Sequence, residues 1–264
     1  MPREAAIAAR AAGRSPFLIG LVGVTTAEIG DFEHMWLRLG EVGKLFAALK
    51  ARAIGEIVLI GAMTRPDWRE LRLDWGAIRR VDDLARLFRG GDDALLSGIV
   101  DILAREGVRV VGVQDVAPAL VAPEGRIGQA VASTEDEADV RIGFSLLAAL
   151  APFDVGQAAV VADGRAVAVE AAEGTDAMLA RVAEMRAGGR LRRQAPSGVF
   201  VKTAKRGQDR RLDLPTVGPE TIAAARAAGL KGLAVEAGAV LLADRARTIA
   251  LADEARLFLV GRRS

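Results

Sequence analysis

The 264-residue chain contains no cysteine, no tyrosine and only one histidine, His34. Without cysteine there can be no disulfide, no thiolate metal site and no cysteine nucleophile. A single histidine rules out a multi-histidine zinc centre and leaves at most one base for a Ser-His-Asp arrangement. His34 lies in GDFEHMWLRLG with no serine beside it, which reads as a surface or loop histidine. Long apolar runs are also missing. The stretches 17–24 and 142–150 are interrupted or fall short of the roughly 18 apolar residues that cross a bilayer, so no membrane span is expected. The opening MPREAAIAARAAGR carries Glu4 and has no long apolar core before a small-residue cleavage site. It is not a signal peptide, and a cytoplasmic location is expected. The formal net charge is only +2, with no basic stripe, so nucleic acid is not an expected partner.

What is present is a globular composition, 51% hydrophobic and 27% charged with the two signs mixed. The length exceeds the usual size of one domain, so two are expected. Chemistry in such a chain must come from carboxylates, lysines, arginines, hydroxyls and backbone amides, an inventory suited to magnesium and phosphate.

The first half alternates helix and strand signals. Pro2 near the start and Gly13 past the end bracket an Ala-rich helix over 2–12. The run 17–24 (FLIGLVGV) reads as a buried strand, 41–52 as a helix with Val42, Leu45, Phe46 and Leu49 on one face, and 56–62 as a second strand. A helix over 94–106 and a strand over 108–113 follow. Strands separated by helices suggest a parallel α/β sheet. The stretch 117–135, rich in Pro, Gly, Ser and Thr, divides the chain. We therefore expect an N-terminal domain over 1–122, a linker over 123–134 and a C-terminal domain over 135–264. In the second half, Thr134 and Glu137 fit a capping box for a helix running to about residue 150. Two β-rich arms joined at Asp163-Gly164 give a hairpin signal. Further strands are expected at 198–203, 232–236, 240–243 and 257–260, with a helix over 219–228, making this half a mixed α/β domain.

Three constellations carry candidate chemistry. In GGDDALL, Gly90 and Gly91 let the backbone turn before Asp92 and Asp93 at a helix start. An Asp there serves as an N-cap, or the exposed helix amides receive a phosphate, or one Asp holds a hydrated magnesium. In VEAAEGTDAML, Glu170, Glu173 and Asp176 place three carboxylates around Gly174 and Thr175 at another helix start. Capping by Thr175 or Asp176 and metal binding by the carboxylates both fit, since such a cluster is costly unless solvated or metal-bound. In FVKTAKRGQDRRLDLPTVG, the cations Lys202, Lys205, Arg206, Arg210 and Arg211 surround Gln208, Asp209 and Asp213. Cations able to hold a pyrophosphate thus lie beside carboxylates able to hold magnesium. A solvated charge run is the alternative, but Asp213 sits between Leu212 and Leu214, an odd position for a merely solvated acid.

These blocks resemble the UDP-2,3-diacylglucosamine pyrophosphatases of the LpxI type. The similarity runs through DVGQAAVVADGRAVAVEAAEGTDAML, VKTAKRGQDRRLDLPTVGPETI and GLKGLAVEAGAVLLADR in the second half. In the first half it runs through GEVGKLFAALK, GAMTRPDW, GDDALLSGIVDILAREG and LVAPEGRIG. The resemblance implies a Rossmann-like N-terminal domain, a distinct C-terminal catalytic domain, substrate held between them, magnesium as cofactor and a homodimer. It implies hydrolysis of a UDP-linked diacylated glucosamine to UMP and 2,3-diacylglucosamine 1-phosphate, with water attacking the sugar-side phosphorus. By position, Asp213 matches the family's essential acid, as a magnesium ligand or to orient the water. Thr175 and Lys202 join it as catalytic candidates. Asp176 and Glu173 are candidate magnesium ligands with it, and Lys205, Gln208, Gly174, Gly91, Asp92 and Lys44 candidate substrate contacts. Two alternatives accompany this reading: a relative that binds such a lipid without turnover, and a hydrolase of another nucleotide sugar. Members of the family begin with an apolar strand and a Gly-rich turn, whereas this chain opens at MPREAA. The expected consequence is an unfilled sheet position beside 17–24.

Overall fold

The computed structural model describes residues 1–26, 28–61, 74–78, 92–153, 155–191, 196–205, 209–212 and 214–263, with the backbone alone for 78 and 92–96. The chain forms two compact units, Met1–Pro118 and Ala119–Ser264.

In the first unit, α1 (Pro2–Ala11) begins on proline, carries Glu4 in its first turn and Arg10 in its last, and buries Ala5, Ala6 and Ala9. This charge order suits the helix dipole. The strands are shorter than the apolar runs suggested. β1 (Leu18–Leu21) pairs in parallel with β2 (His34–Leu37), a strand that the sequence reading did not assign. His34 therefore lies on a strand and is exposed, with Nδ1 2.8 Å from the Phe32 carbonyl. After α2 (Val42–Ala51), β3 is only Glu56–Ile57, paired in parallel with β4 (Arg109–Val110). Between them lie α3 (Trp75–Ile78) and α4 (Asp92–Arg105), and α5 (Val113–Val116) takes up the end of the stretch expected to continue β4. Among the described residues, β1 pairs only with β2 and β3 only with β4.

The second unit is built on a six-stranded sheet. Its strands are β5 (Gly125–Arg126), β6 (Ala158–Ala162), β7 (Arg165–Val169), β8 (Val199–Lys202), β10 (Gly232–Glu236) and β12 (Phe258–Arg262), in the order β5-β12-β10-β8-β6-β7. β8, β10 and β12 run parallel, and β5, β6 and β7 add antiparallel edges. A small parallel pair, β9 (Thr216–Val217) with β11 (Leu241–Leu242), lies outside this sheet. On one face, α7 (Gly174–Ala187), α8 (Pro219–Ala227) and α9 (Arg245–Glu254) cover Phe200, Leu233, Val235 and Leu259 with Met178, Leu179, Ile222 and Ala252. On the other face, α6 (Thr134–Leu150) packs Val140 and Leu147 against Val161, Val199, Val201 and Phe258.

Two local features set this unit's geometry. The cap of α6 is one residue earlier than expected: Ser133 Oγ accepts from Asp136 N–H, and the Asp136 carboxylate accepts from Ser133 N–H. Ser133 has the extended backbone that an N-cap requires, so it takes the role assigned to Thr134. At the Asp163-Gly164 hairpin both residues have positive φ, 52° and 76°, as a type I′ turn demands. The buried Asp139 carboxylate on α6 receives both turn N–H groups, at 3.0 and 2.7 Å.

The stretch 123–134 runs along the sheet margin, where Gly125 and Arg126 pair with Gly261 and Val260 of β12. No helix among the described residues is long and apolar enough to cross a membrane.

Candidate active site

In parallel α/β sheets, ligands gather at the carboxyl ends of the strands. In the second unit, β8 ends on Lys202 and β10 on Glu236, and both side chains are buried. A buried charge is costly unless it is paired. The Lys202 ammonium donates to Thr175 Oγ1 at 2.8 Å, and the Thr175 hydroxyl donates onward to Glu170 Oε1 at 3.0 Å. The other Glu170 oxygen accepts Gln157 N–H at 3.1 Å. A chain of three side chains therefore joins the end of β7 to the first turn of α7 and the end of β8.

Glycine places two of its members. Gly174 opens α7 with φ 81°, a conformation costly for any side chain. It turns the backbone so that Thr175 follows at the helix start. A Cβ on Gly156 would lie 2.5 Å from the Glu170 carbonyl oxygen, so only glycine lets that strand end approach closely enough to hold Glu170. The Thr175 hydroxyl therefore does not cap the helix; α7 has no side-chain cap at all. Its uncapped N–H groups and the helix dipole favour an anion at this end.

The other expected residues fall as follows. Asp176 is exposed on the first turn of α7, and Glu173 is paired with Arg181 at 3.0 Å. Lys205 is half-buried in the loop leaving β8. Further along this loop Arg211 grips Asp209 through both carboxylate oxygens, with contacts of 2.6 to 3.0 Å. The guanidinium holds the Asp209 carboxyl below its usual range, and the carboxylate in turn raises Arg211. Gln208, Asp213 and Gly91 lie outside the described residues. Leu214, next to Asp213, is buried, and Leu212 half-buried. Among the described residues no group of three or more potential ligands is gathered for a metal.

In the first unit, Lys44 is exposed and paired with Glu41. Its backbone N–H and that of Gly43 donate to the Asp74 carboxylate at 3.0 Å each. Asp74, not the Lys44 side chain, thus occupies the start of α2. Burial alone would raise the Asp74 pKa, but donors from Ala77, Gly43, Lys44 and Gly76 bring it below the usual carboxylate value. Asp92 begins α4, and its side chain is outside the described set.

The reading of the sequence did not single out Glu236. Its signal was the charged residue ending the apolar run GLAVE, since a strand-terminal charge at the carboxyl edge marks the usual ligand side.

Residues 1–120 match the LpxI N-terminal domain family, and residues 123–260 match the LpxI C-terminal domain family. The chain is also similar to the UDP-2,3-diacylglucosamine pyrophosphatase LpxI of Caulobacter vibrioides (strain ATCC 19089 / CIP 103742 / CB 15). Identity is 37% over 261 residues, covering 99% of this chain and 93% of that protein.

Proposed function

The chain belongs to the LpxI family, and on that footing we propose that it hydrolyses the pyrophosphate of UDP-2,3-diacylglucosamine in lipid A biosynthesis. Water adds to the sugar-side phosphorus, the bridging oxygen leaves with UMP, and 2,3-diacylglucosamine 1-phosphate remains. The observation that carries the reading is the Lys202–Thr175–Glu170 chain at the carboxyl edge of the parallel strands, beside the uncapped start of α7. Cation and helix start favour phosphate in one place. Thr175 accepts from Lys202 and donates to Glu170, so its role is to orient the ammonium, with Glu170 balancing the charge. Lys205 and Gln208 would contact substrate from the adjoining loop.

We propose magnesium as the cofactor. The nearby donors are hard oxygens, and magnesium keeps several waters, so one or two carboxylates suffice and no all-protein cage is needed. Asp213 and Asp176 would hold it, whereas Glu173 already faces Arg181. When bound, such an ion offsets phosphate charge and polarises the phosphoryl oxygens. The first unit we take to be Rossmann-like, supported by its two parallel strand pairs interleaved with helices. The test is turnover of UDP-2,3-diacylglucosamine against UDP-N-acetylglucosamine, with and without EDTA. UMP release from the acylated substrate alone, abolished by EDTA, is expected. Equal turnover of both substrates would overturn the assignment, and full activity in EDTA would overturn the cofactor.

A further inference from the structure

We propose that Glu236 is a positioning residue of the pyrophosphate site, one that holds the loop leaving β8 and presents the Arg210 guanidinium to phosphate. This rests on the assignment above, because it takes that loop to meet the substrate. Glu236 ends β10, the strand next to β8, and is 7% exposed. Two of its contacts lie on one short stretch of chain. Oε2 accepts from Ala204 N–H at 2.9 Å, two residues past Lys202, and Oε1 faces Arg210 Nη2 at 3.4 Å. One carboxylate thus meets the chain both at Ala204 and at Arg210.

The two contacts differ in kind. The bond to Ala204 is short and buried, and it sets the direction in which the chain leaves the sheet. The Arg210 contact is longer than the ~2.7–2.9 Å of a strong charge-assisted bond, and the Arg210 side chain is 55% exposed. Arg210 is therefore aimed by Glu236 yet keeps donors for another partner. A guanidinium's fixed fork of N–H groups matches phosphate oxygens, so a pyrophosphate can take it without breaking the Ala204 anchor. Holding Ala204 N–H requires only an oxygen acceptor, which glutamine supplies as well as glutamate.

That difference defines the experiment on the full chain. Glu236→Gln keeps an oxygen for Ala204 N–H but loses the charge that aims Arg210. The expected result is an unchanged melting temperature, a roughly tenfold rise in KM with kcat less affected, and faster tryptic cleavage at Lys205 to Arg211. Arg210→Ala should raise KM similarly, and the double variant should be no worse than Arg210→Ala alone, because the two act as a unit. Calorimetry with inorganic pyrophosphate should show the same weakening for Glu236→Gln. Strict additivity of the two substitutions, or wild-type KM, pyrophosphate affinity and cleavage rate in folded Glu236→Gln, would overturn the proposal. Should Glu236→Gln fail to fold, half-exposed Arg210→Ala decides it: unchanged pyrophosphate affinity there overturns the proposal. A wild-type chain that binds pyrophosphate but does not turn over the acylated substrate would instead sink the functional assignment, and cleavage and calorimetry would still judge Glu236.

Discussion

Every residue of β6, β8 and β10 in the second unit is buried, whereas β1 and β3 of the first unit contain between them a single buried residue, Gly20. The second unit has a sheet with helices on both faces, which lets whole strands leave water, and burial of apolar area is the main source of its stability. The first unit's described strands come in pairs of two to four residues and cannot do this. Around them lie charged and aromatic contacts: Arg3 with Asp31, Arg52 with Glu33, and Arg14 and Arg109 on Glu56. Arg10 and Arg52 lie over the Phe32 and Phe17 rings, each 4.1 Å from the centroid. Exposed pairs of this sort contribute little each and are screened by salt. The first unit also buries apolar side chains, among them Phe32, Leu37, Leu49 and Leu103, so the difference lies in whether whole strands are covered, and the candidate chemistry of the second unit is seated on the fully buried sheet.

The chain offers a built-in way to test this, because its three tryptophans, Trp36, Trp68 and Trp75, all fall in the first unit. Fluorescence reports on that unit, and circular dichroism on both. The largest expected effect is on the second unit's core. Phe200→Ala should cost about 3–5 kcal/mol, as truncation of a fully buried aromatic does. In urea, the dichroism transition should shift to lower denaturant while the tryptophan transition stays in place. If both shift together, the units unfold as one and the comparison fails.

Next comes the comparison in activity. Asp213→Asn is nearly isosteric, so it should keep the fold while kcat falls by about a hundredfold or more, because the lost charge matters most in the transition state. If Asp92, at the start of α4 in the first unit, serves only as a helix cap, Asp92→Asn should leave kcat near wild type, since Asn caps helices about as well as Asp. Near-normal kcat for folded Asp213→Asn would move the catalytic centre elsewhere.

The smallest expected effect is one of pH, confined to the first unit. The Asp74 pKa is depressed in the fold, so its contribution is present above the unfolded carboxylate value and is lost as pH falls through the lower folded value. Tryptophan-detected melting should therefore drop below about pH 4, and Asp74→Asn should flatten that drop. An identical acid profile in Asp74→Asn would show that other carboxylates govern it.

Much of the second unit was legible from local rules. Asp163-Gly164 announced the hairpin because only a few residues tolerate two positive φ values in a row, and the apolar runs 198–203 and 232–236 announced strands, whose parallel pairing came from the structure. Strand lengths in the first unit were not legible. Apolar content in 17–24 and 56–62 marks burial, but pairing depends on which neighbours arrive, and that is tertiary. The Thr134 cap missed by one residue because Ser133 and Thr134 both carry hydroxyls, and backbone conformation chooses between them. In the site, sequence proximity grouped Glu170, Glu173 and Asp176 as one acidic cluster. Folding separates them: Glu170 turns to Thr175, Glu173 to Arg181, and Asp176 to solvent.

The six-stranded sheet has a further consequence at its margins. An exposed strand edge offers unpaired N–H and C=O groups to any other chain, and it is a common starting point for aggregation. Here one margin is β5, only Gly125 and Arg126, with Pro123 just before it and Gly125 at φ 97°. The other is β7, whose pairing with β6 shifts register at Val160/Val161 and whose Arg165 and Ala166 are exposed. One edge is too short to template a partner and the other is irregular and charged. Among the described residues, the two margins of this strongly apolar sheet therefore offer little regular backbone for a second chain to pair with.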